Sequence, residues 1–231
     1  MSDSADLAKR RPHSLSPRAL TAVGWIAFVV AGAIFFELAW NVASHAPLVA
    51  LDARVATWLH RHRSPTLTSL MFAVTHTHST IGMTAASIVM AIVLARMREW
   101  YWMFTLALAM AGGLLLNVAI KHAYERARPH FDDPLVTLDT FSFPSGHTAG
   151  ATLFYGVLGA FLVSRYFDRR ARAAIVTAAI LAVSLVAFSR MYLGAHYLSD
   201  VLAAASSSTV WLVLCLSSVH ALVKRLRSRW R

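Results

Sequence analysis

Three short stretches of the chain combine cations, imidazoles and a carboxylate at spacings that suit the capture of an anion. In the first, Lys121 and Arg128 lie seven residues apart, two helical turns, so a continuing helix would aim both to one side. Pro129 disfavours helix at Arg128, and the chain is expected to turn away there. Glu125, four residues from Lys121, could brace it. The second stretch, Phe143-Pro144-Ser145-Gly146-His147, opens an apolar run. Ser is a favoured helix cap, Gly lets a ligand approach the backbone, and a helix start offers free N–H groups to an anion. In the third, Ser189-Arg190 precedes His196 and Asp200, which are four apart and share a helix face. A carboxylate on one imidazole nitrogen fixes the tautomer and leaves the other nitrogen as nucleophile or base. Gly194 permits a tight turn that returns Arg190 to their side.

Each of these residues has a plainer reading when taken alone. Cations near a membrane snorkel to head groups, a single His near a helix end is ordinary, and Asp200 could simply cap the last helix. Three cations, two histidines, a carboxylate and a Ser-Gly helix start on one membrane face are another matter. Ionisable groups at the membrane are costly and mark function.

The elements that must position these groups are apolar. Of 231 residues, 57% are apolar and 14% charged, with a mean hydropathy of +0.54. That balance points to one domain in lipid and away from a cytosolic enzyme or a disordered chain. Cys215 is the only cysteine, so the chain has no internal disulfide framework. Charge-poor stretches run over Thr21–Ser44 (interrupted by Glu37), Ser64–Ala95, Trp100–Ile120, Thr140–Ser164, Ala173–Ser189 and Val201–Val223. A crossing helix needs roughly 17–25 residues, so an all-α, polytopic protein of six transmembrane helices is expected. The six spans form a membrane domain over residues 21–223, between a basic N-terminal tail (1–20) and a basic C-terminal tail (224–231). The first span follows Lys9-Arg10-Arg11, but its apolar run exceeds a signal-peptide core, so an uncleaved anchor is expected.

Six spans put both termini on one side. With that side cytoplasmic, 15 of the 22 Lys and Arg residues lie inside, as the positive-inside rule prefers. The formal charge of +11 is then chiefly a topology signal with some attraction to anionic lipid, and no nucleic-acid partner is expected. All three clusters fall on the outer side. Leu51–His62 mixes apolar residues with Asp52, Arg54 and His60 and reads as a short amphipathic helix on that interface. Gly112-Gly113, Gly156/Ala160 and Ala203-Ala204-Ala205 suit close helix packing.

The ordered pattern Lys121…Arg128-Pro129, Pro144-Ser145-Gly146-His147, Ser189-Arg190…His196…Asp200 resembles the type 2 phosphatidic acid phosphatase family. The resemblance spans about residues 50 to 210 and all three parts are complete. It implies a six-helix membrane enzyme that removes phosphate from a lipid phosphate or diphosphate without a metal or other cofactor. It further implies that His196 attacks phosphorus, Asp200 orients the ring, and His147 serves as acid and then base. Lys121, Arg128, Ser145, the Gly146 N–H and Arg190 would hold the phosphoryl oxygens. Vanadium haloperoxidases share that pocket but are soluble, which the six spans argue against.

An outer-side site in a bacterial inner membrane suits undecaprenyl diphosphate, the substrate expected from small six-span members of the family. Phosphatidic acid and phosphatidylglycerol phosphate fit the same geometry. The rival in a different class is a lipid-phosphate transporter without hydrolysis. His76 and His78 point roughly 200° apart on a helix and suit polar packing or substrate contact better than a metal. Glu37 and Asn41, four apart, could make a buried polar contact or touch the tail channel.

Overall fold

The computed structural model describes residues 17–44, 46–166 and 168–229. The start of the expected N-terminal tail, with Lys9-Arg10-Arg11, lies outside them, as do Trp230 and Arg231. Eight helices follow in order: α1 (Pro17–Ala43), α2 (Pro47–Arg61), α3 (Pro65–Thr77), α4 (Thr80–Arg96), α5 (Trp100–Tyr124), α6 (Gly146–Arg165), α7 (Arg169–Tyr192) and α8 (Leu198–Arg229). Among the described residues there is no strand. Pro47 and Pro65 begin α2 and α3, where a missing N–H costs no bond. Ser64, Ser79 and Asp168 cap α3, α4 and α7 with their side-chain oxygens.

Five helices are long and apolar enough to cross a membrane, and the pair α3 and α4 makes a sixth if counted as one span. That pair occupies the second apolar stretch, Ser64–Ala95, which is long enough to include a loop residue or two. It is bent by 52° at His78 and Ser79. The polar run Thr75–Thr80 supplies the reason, because Ser79 caps a new helix by accepting from the Gly82 N–H at 3.2 Å. Gly82 is required there, since a Cβ would run into the Thr77 carbonyl. At the other end of the chain α8 continues through the expected C-terminal tail to Arg229.

α6 and α8 form the centre. α5 and α7 flank α6, α1 lies along α8, and α4 packs on α5. Away from the clusters, Met90, Leu106, Leu153, Val157 and Cys215 fill an apolar core between α4, α5, α6 and α8. Gly112 and Gly156 let Trp211 and Leu212 of α8 come close, the packing role expected of the small residues. Ile26 and Val29 of α1 and Ile180 and Leu181 of α7 point outward, as lipid-facing residues do.

α2 is amphipathic, yet its inner face is not wholly apolar. Asp52 shares that face with Ala56 and Leu59 and is fully buried. Glu37 and Asn41 bond to each other at 2.7 Å, with Glu37 exposed rather than buried.

Candidate functional site

The ends of α5 and α7 and the starts of α6 and α8 meet at one end of the bundle. α5 stops at Tyr124 because Glu125 turns left-handed (φ 43°), its N–H capping the Lys121 carbonyl at 2.9 Å. The helix therefore does not carry Lys121 and Arg128 to one face, and Glu125 makes no ion pair with Lys121 among the described contacts. The loop that follows brings the two cations together instead. Lys121 Nζ and Arg128 both donate to the Phe141 carbonyl. Arg128 is further fixed by Nε to the Thr140 carbonyl at 2.7 Å and by one terminal nitrogen to the Ala195 carbonyl at 2.6 Å. That same nitrogen lies 3.2 Å from His196 Nε2.

Ser145 stands at the expected cap of α6, but its side chain caps no backbone N–H. Its hydroxyl accepts from Thr148 at 3.2 Å, and its own N–H donates to the Asp200 carbonyl at 3.1 Å. The start of α6 is thereby tied to the start of α8. On the far side Gly194, at φ +73°, makes the expected turn, and the Ala195 N–H returns to the Arg190 carbonyl at 3.0 Å. Arg190, 3% exposed, donates to the Thr75 hydroxyl just before the α3–α4 bend.

His196 sits at the centre, with Nδ1 turned inward and Nε2 toward the cations. Asp200 Oδ2 is 3.5 Å from Nδ1, at the outer limit of a hydrogen bond. The carboxylate is held more firmly by others. Ser142 donates to Oδ2, the Tyr197 N–H donates to it at 2.8 Å, and Arg126 donates to Oδ1 at 2.6 Å. Burial, helped by Arg128 and Arg190 and opposed by Asp200, pushes the His196 imidazole down to about 4. The ring is thus neutral at physiological pH, with one nitrogen unprotonated.

Arg126, Asp52, Ser142 and Thr75 are site residues that spacing did not single out. Arg126 bridges Asp200 to Asp52 of α2, at 2.7 Å from Asp52 Oδ2, while stacking over Tyr197 at 4.3 Å. Asp52 also accepts from the Ser199 N–H at 2.9 Å. Burial works against the Arg126 charge, but the two carboxylates outweigh it and raise the guanidinium pKa. One signal was available for Asp52, an acid on the same helix stripe as Ala56 and Leu59.

Lys121, Arg128, Gly146, His147, Arg190 and His196 all line one cavity of about 800 Å³. It continues between α4, α5 and α6 to Ala91, Met103 and Phe104. From Lys121 to Met103 is about 27 Å of helix, close to the thickness of the hydrocarbon core. Ser145 is buried behind this surface. His78, read as helical, instead caps α3; its Nε2 meets the Tyr155 hydroxyl at 2.8 Å. His76 packs by Phe72. The arrangement offers a neutral imidazole before three cations and a helix start, above an apolar groove. A phosphoryl group with a lipid tail fits those features.

The PAP2 superfamily profile matches residues 100–224. The chain is 31% identical over 169 residues to phosphatidylglycerophosphatase B of Bacillus subtilis (strain 168), spanning 72% of this chain and 82% of that protein. The crystal structure of a transmembrane PAP2 type phosphatidylglycerolphosphate phosphatase from Bacillus subtilis superposes with a TM-score of 0.75 at 29% identity, covering 86% of this chain and 98% of that one. Aquifex aeolicus LpxE is alike in fold, with a TM-score of 0.59 at 23% identity over 72% of this chain and 95% of that one.

Proposed function

We propose that this chain, which belongs to the PAP2 superfamily of membrane lipid phosphatases, hydrolyses a lipid phosphate or diphosphate in two steps through a phosphohistidine at His196. The observation that carries the reading is the His196 ring itself, backed by Asp200 and facing Arg128 inside a cationic cavity.

In the first step the Nε2 lone pair forms a bond to phosphorus and the bond from phosphorus to the leaving oxygen breaks. His147, in the same cavity, gives that oxygen a proton, so a monoester leaves as the lipid alcohol and a diphosphate as the lipid monophosphate. The proton on Nδ1 faces Asp200, which stabilises the charge the ring acquires. In the second step His147 takes a proton from water, the hydroxide attacks phosphorus, and the P–N bond breaks to give inorganic phosphate. Lys121, Arg128, Arg190 and the Gly146 N–H hold the equatorial oxygens, where charge builds. Ser145 acts from behind, tying α6 to Asp200.

The named relatives make phosphatidylglycerol phosphate the first substrate to test. Undecaprenyl diphosphate remains a second reading, favoured by a groove about 27 Å deep, longer than one leaflet. The charge distribution supports a cytoplasmic position for both termini and an outward-facing site in the inner membrane.

The test is phosphate release by the protein in detergent micelles with phosphatidylglycerol phosphate, undecaprenyl diphosphate or phosphatidic acid, in the presence of EDTA. Release is expected to persist in EDTA, to be blocked by vanadate, and to vanish in His196→Ala together with the acid-labile phosphoenzyme. Binding without release would favour the transporter reading. Release that survives His196→Ala would overturn the mechanism.

A further inference from the structure

Between Thr105 and Lys121, α5 carries one polar side chain, Asn117. Asn117 is 6% exposed, and its amide nitrogen is buried without a hydrogen-bond partner. Such a group in a membrane helix is costly and calls for a reason. Its position supplies one. Gly113, Asn117 and Lys121 follow at four-residue intervals, so they form one stripe of α5, and all three line the cavity. Asn117 therefore stands one turn, about 6 Å, deeper than the Lys121 cation.

Across from it lies Gly146, where even a Cβ would sit only 3.5 Å from Asn117 Oδ1. The amide thus abuts the start of α6, beside His147. On the α4 side Thr80 and Thr84 line the same cavity. Farther along, the wall turns apolar with Ile88, Ala91, Met103 and Phe104. A polar step separates the cationic mouth from the tail groove, and Asn117 provides its buried, unused donor.

We propose that Asn117 is a substrate-binding residue whose amide donates to an acceptor oxygen on the tail side of the scissile phosphate. In a lipid diphosphate that acceptor is the second phosphate; in a phosphoglycerolipid it is an ester carbonyl. This rests on the lipid-phosphatase reading above. The donor is already desolvated and fixed in the free protein, so a ligand that satisfies it gains, and one lacking the acceptor does not.

The experiment compares wild type with Asn117→Leu, which removes the amide at similar volume, and with Asn117→Ala, which adds no bulk. Three readouts are taken: kcat/KM for farnesyl diphosphate, kcat/KM for a short-chain phosphatidic acid, and the inhibition constant of dodecyl phosphate, which has no acceptor beyond its own phosphate. Both variants are expected to lose about tenfold or more in kcat/KM on the lipids that supply the acceptor, with dodecyl phosphate inhibition unchanged within twofold. Asn117→Leu is expected to keep or raise the Tm, because a buried orphan donor is gone. A loss on the diphosphate alone identifies the second phosphate, and a loss on phosphatidic acid alone identifies the carbonyl. Equal weakening of all three ligands, or no loss on either lipid, would overturn the inference. Wild-type protein that releases phosphate from neither lipid would instead defeat the phosphatase reading.

Discussion

His196 stands between two walls that are built differently. Behind it, Asp200, Arg126, Asp52, Ser142 and Ser199 satisfy one another through short bonds from α2, α8 and the α5–α6 loop. In front of it, donors are left open. Lys121 uses one of its three N–H groups on the Phe141 carbonyl, Arg190 Nε and Asn117 Nδ2 have no partner, and the His147 ring has none among the described residues. A wall whose polar groups are all paired holds its shape, while open donors lining a cavity await a ligand. The two walls should therefore separate under mutation into losses of stability and losses of activity.

The largest effect is expected where the walls touch. Arg128→Ala removes a donor in front of His196 and its tether to the Thr140 and Ala195 carbonyls, and should lower kcat by about 10²–10³. A drop below tenfold, measured by phosphate release, would mean Arg128 is not on the reacting group. Next comes the rear wall. Arg126→Ala leaves two carboxylates buried without a counter-charge and should cost about 3–5 kcal/mol, seen as a large fall in Tm. Combining it with Asp52→Asn should recover part of that loss, whereas Lys121→Ala should leave Tm nearly unchanged and reduce activity. Additive losses for Arg126→Ala and Asp52→Asn would break the contrast between the walls.

A smaller effect belongs to Thr75→Val, which frees Arg190 from its one hydroxyl partner and should raise KM a few-fold, within the range of one hydrogen bond to a charged group. The smallest is a pH effect. His196 is held near 4, below the 6.5 it has when unfolded. Between those values the unfolded chain binds more protons than the folded one, so stability falls as pH drops from about 6.5 toward 4 and is fully present above. His196→Asn should flatten that part of the Tm-against-pH curve, leaving a difference of a few degrees at pH 5.

The front wall was legible in the sequence because its residues recur at fixed offsets within single stretches. Lys121, Arg128, His147 and Arg190, and with them His196 and Asp200 behind it, are each marked by neighbours a few positions away, and the six apolar runs showed which end of the bundle would gather them. The rear wall was hidden because its partners lie far apart: Arg126 and Asp52 are separated by 74 residues, and Asp52 and Ser199 by 147. Nothing near Ser142 signals that it donates to Asp200. The stretch was long enough for a loop residue or two, but the place of the bend at His78 was hidden for another reason. An average over Ser64–Ala95 is apolar enough for one span, and only the polar run before Gly82 betrays a second helix start. Asn117 was overlooked because one amide barely alters the hydropathy of α5.

The bridge from Asp52 through Arg126 to Asp200 also fixes an order of events during synthesis. The ribosome delivers the first acid with α2, the guanidinium 74 residues later, and the second acid after a further 74. No nascent chain that ends before α8 holds all three charges, so a truncated product has its rear support incomplete. The support behind His196 is thus complete only once synthesis has reached the first turn of the last helix.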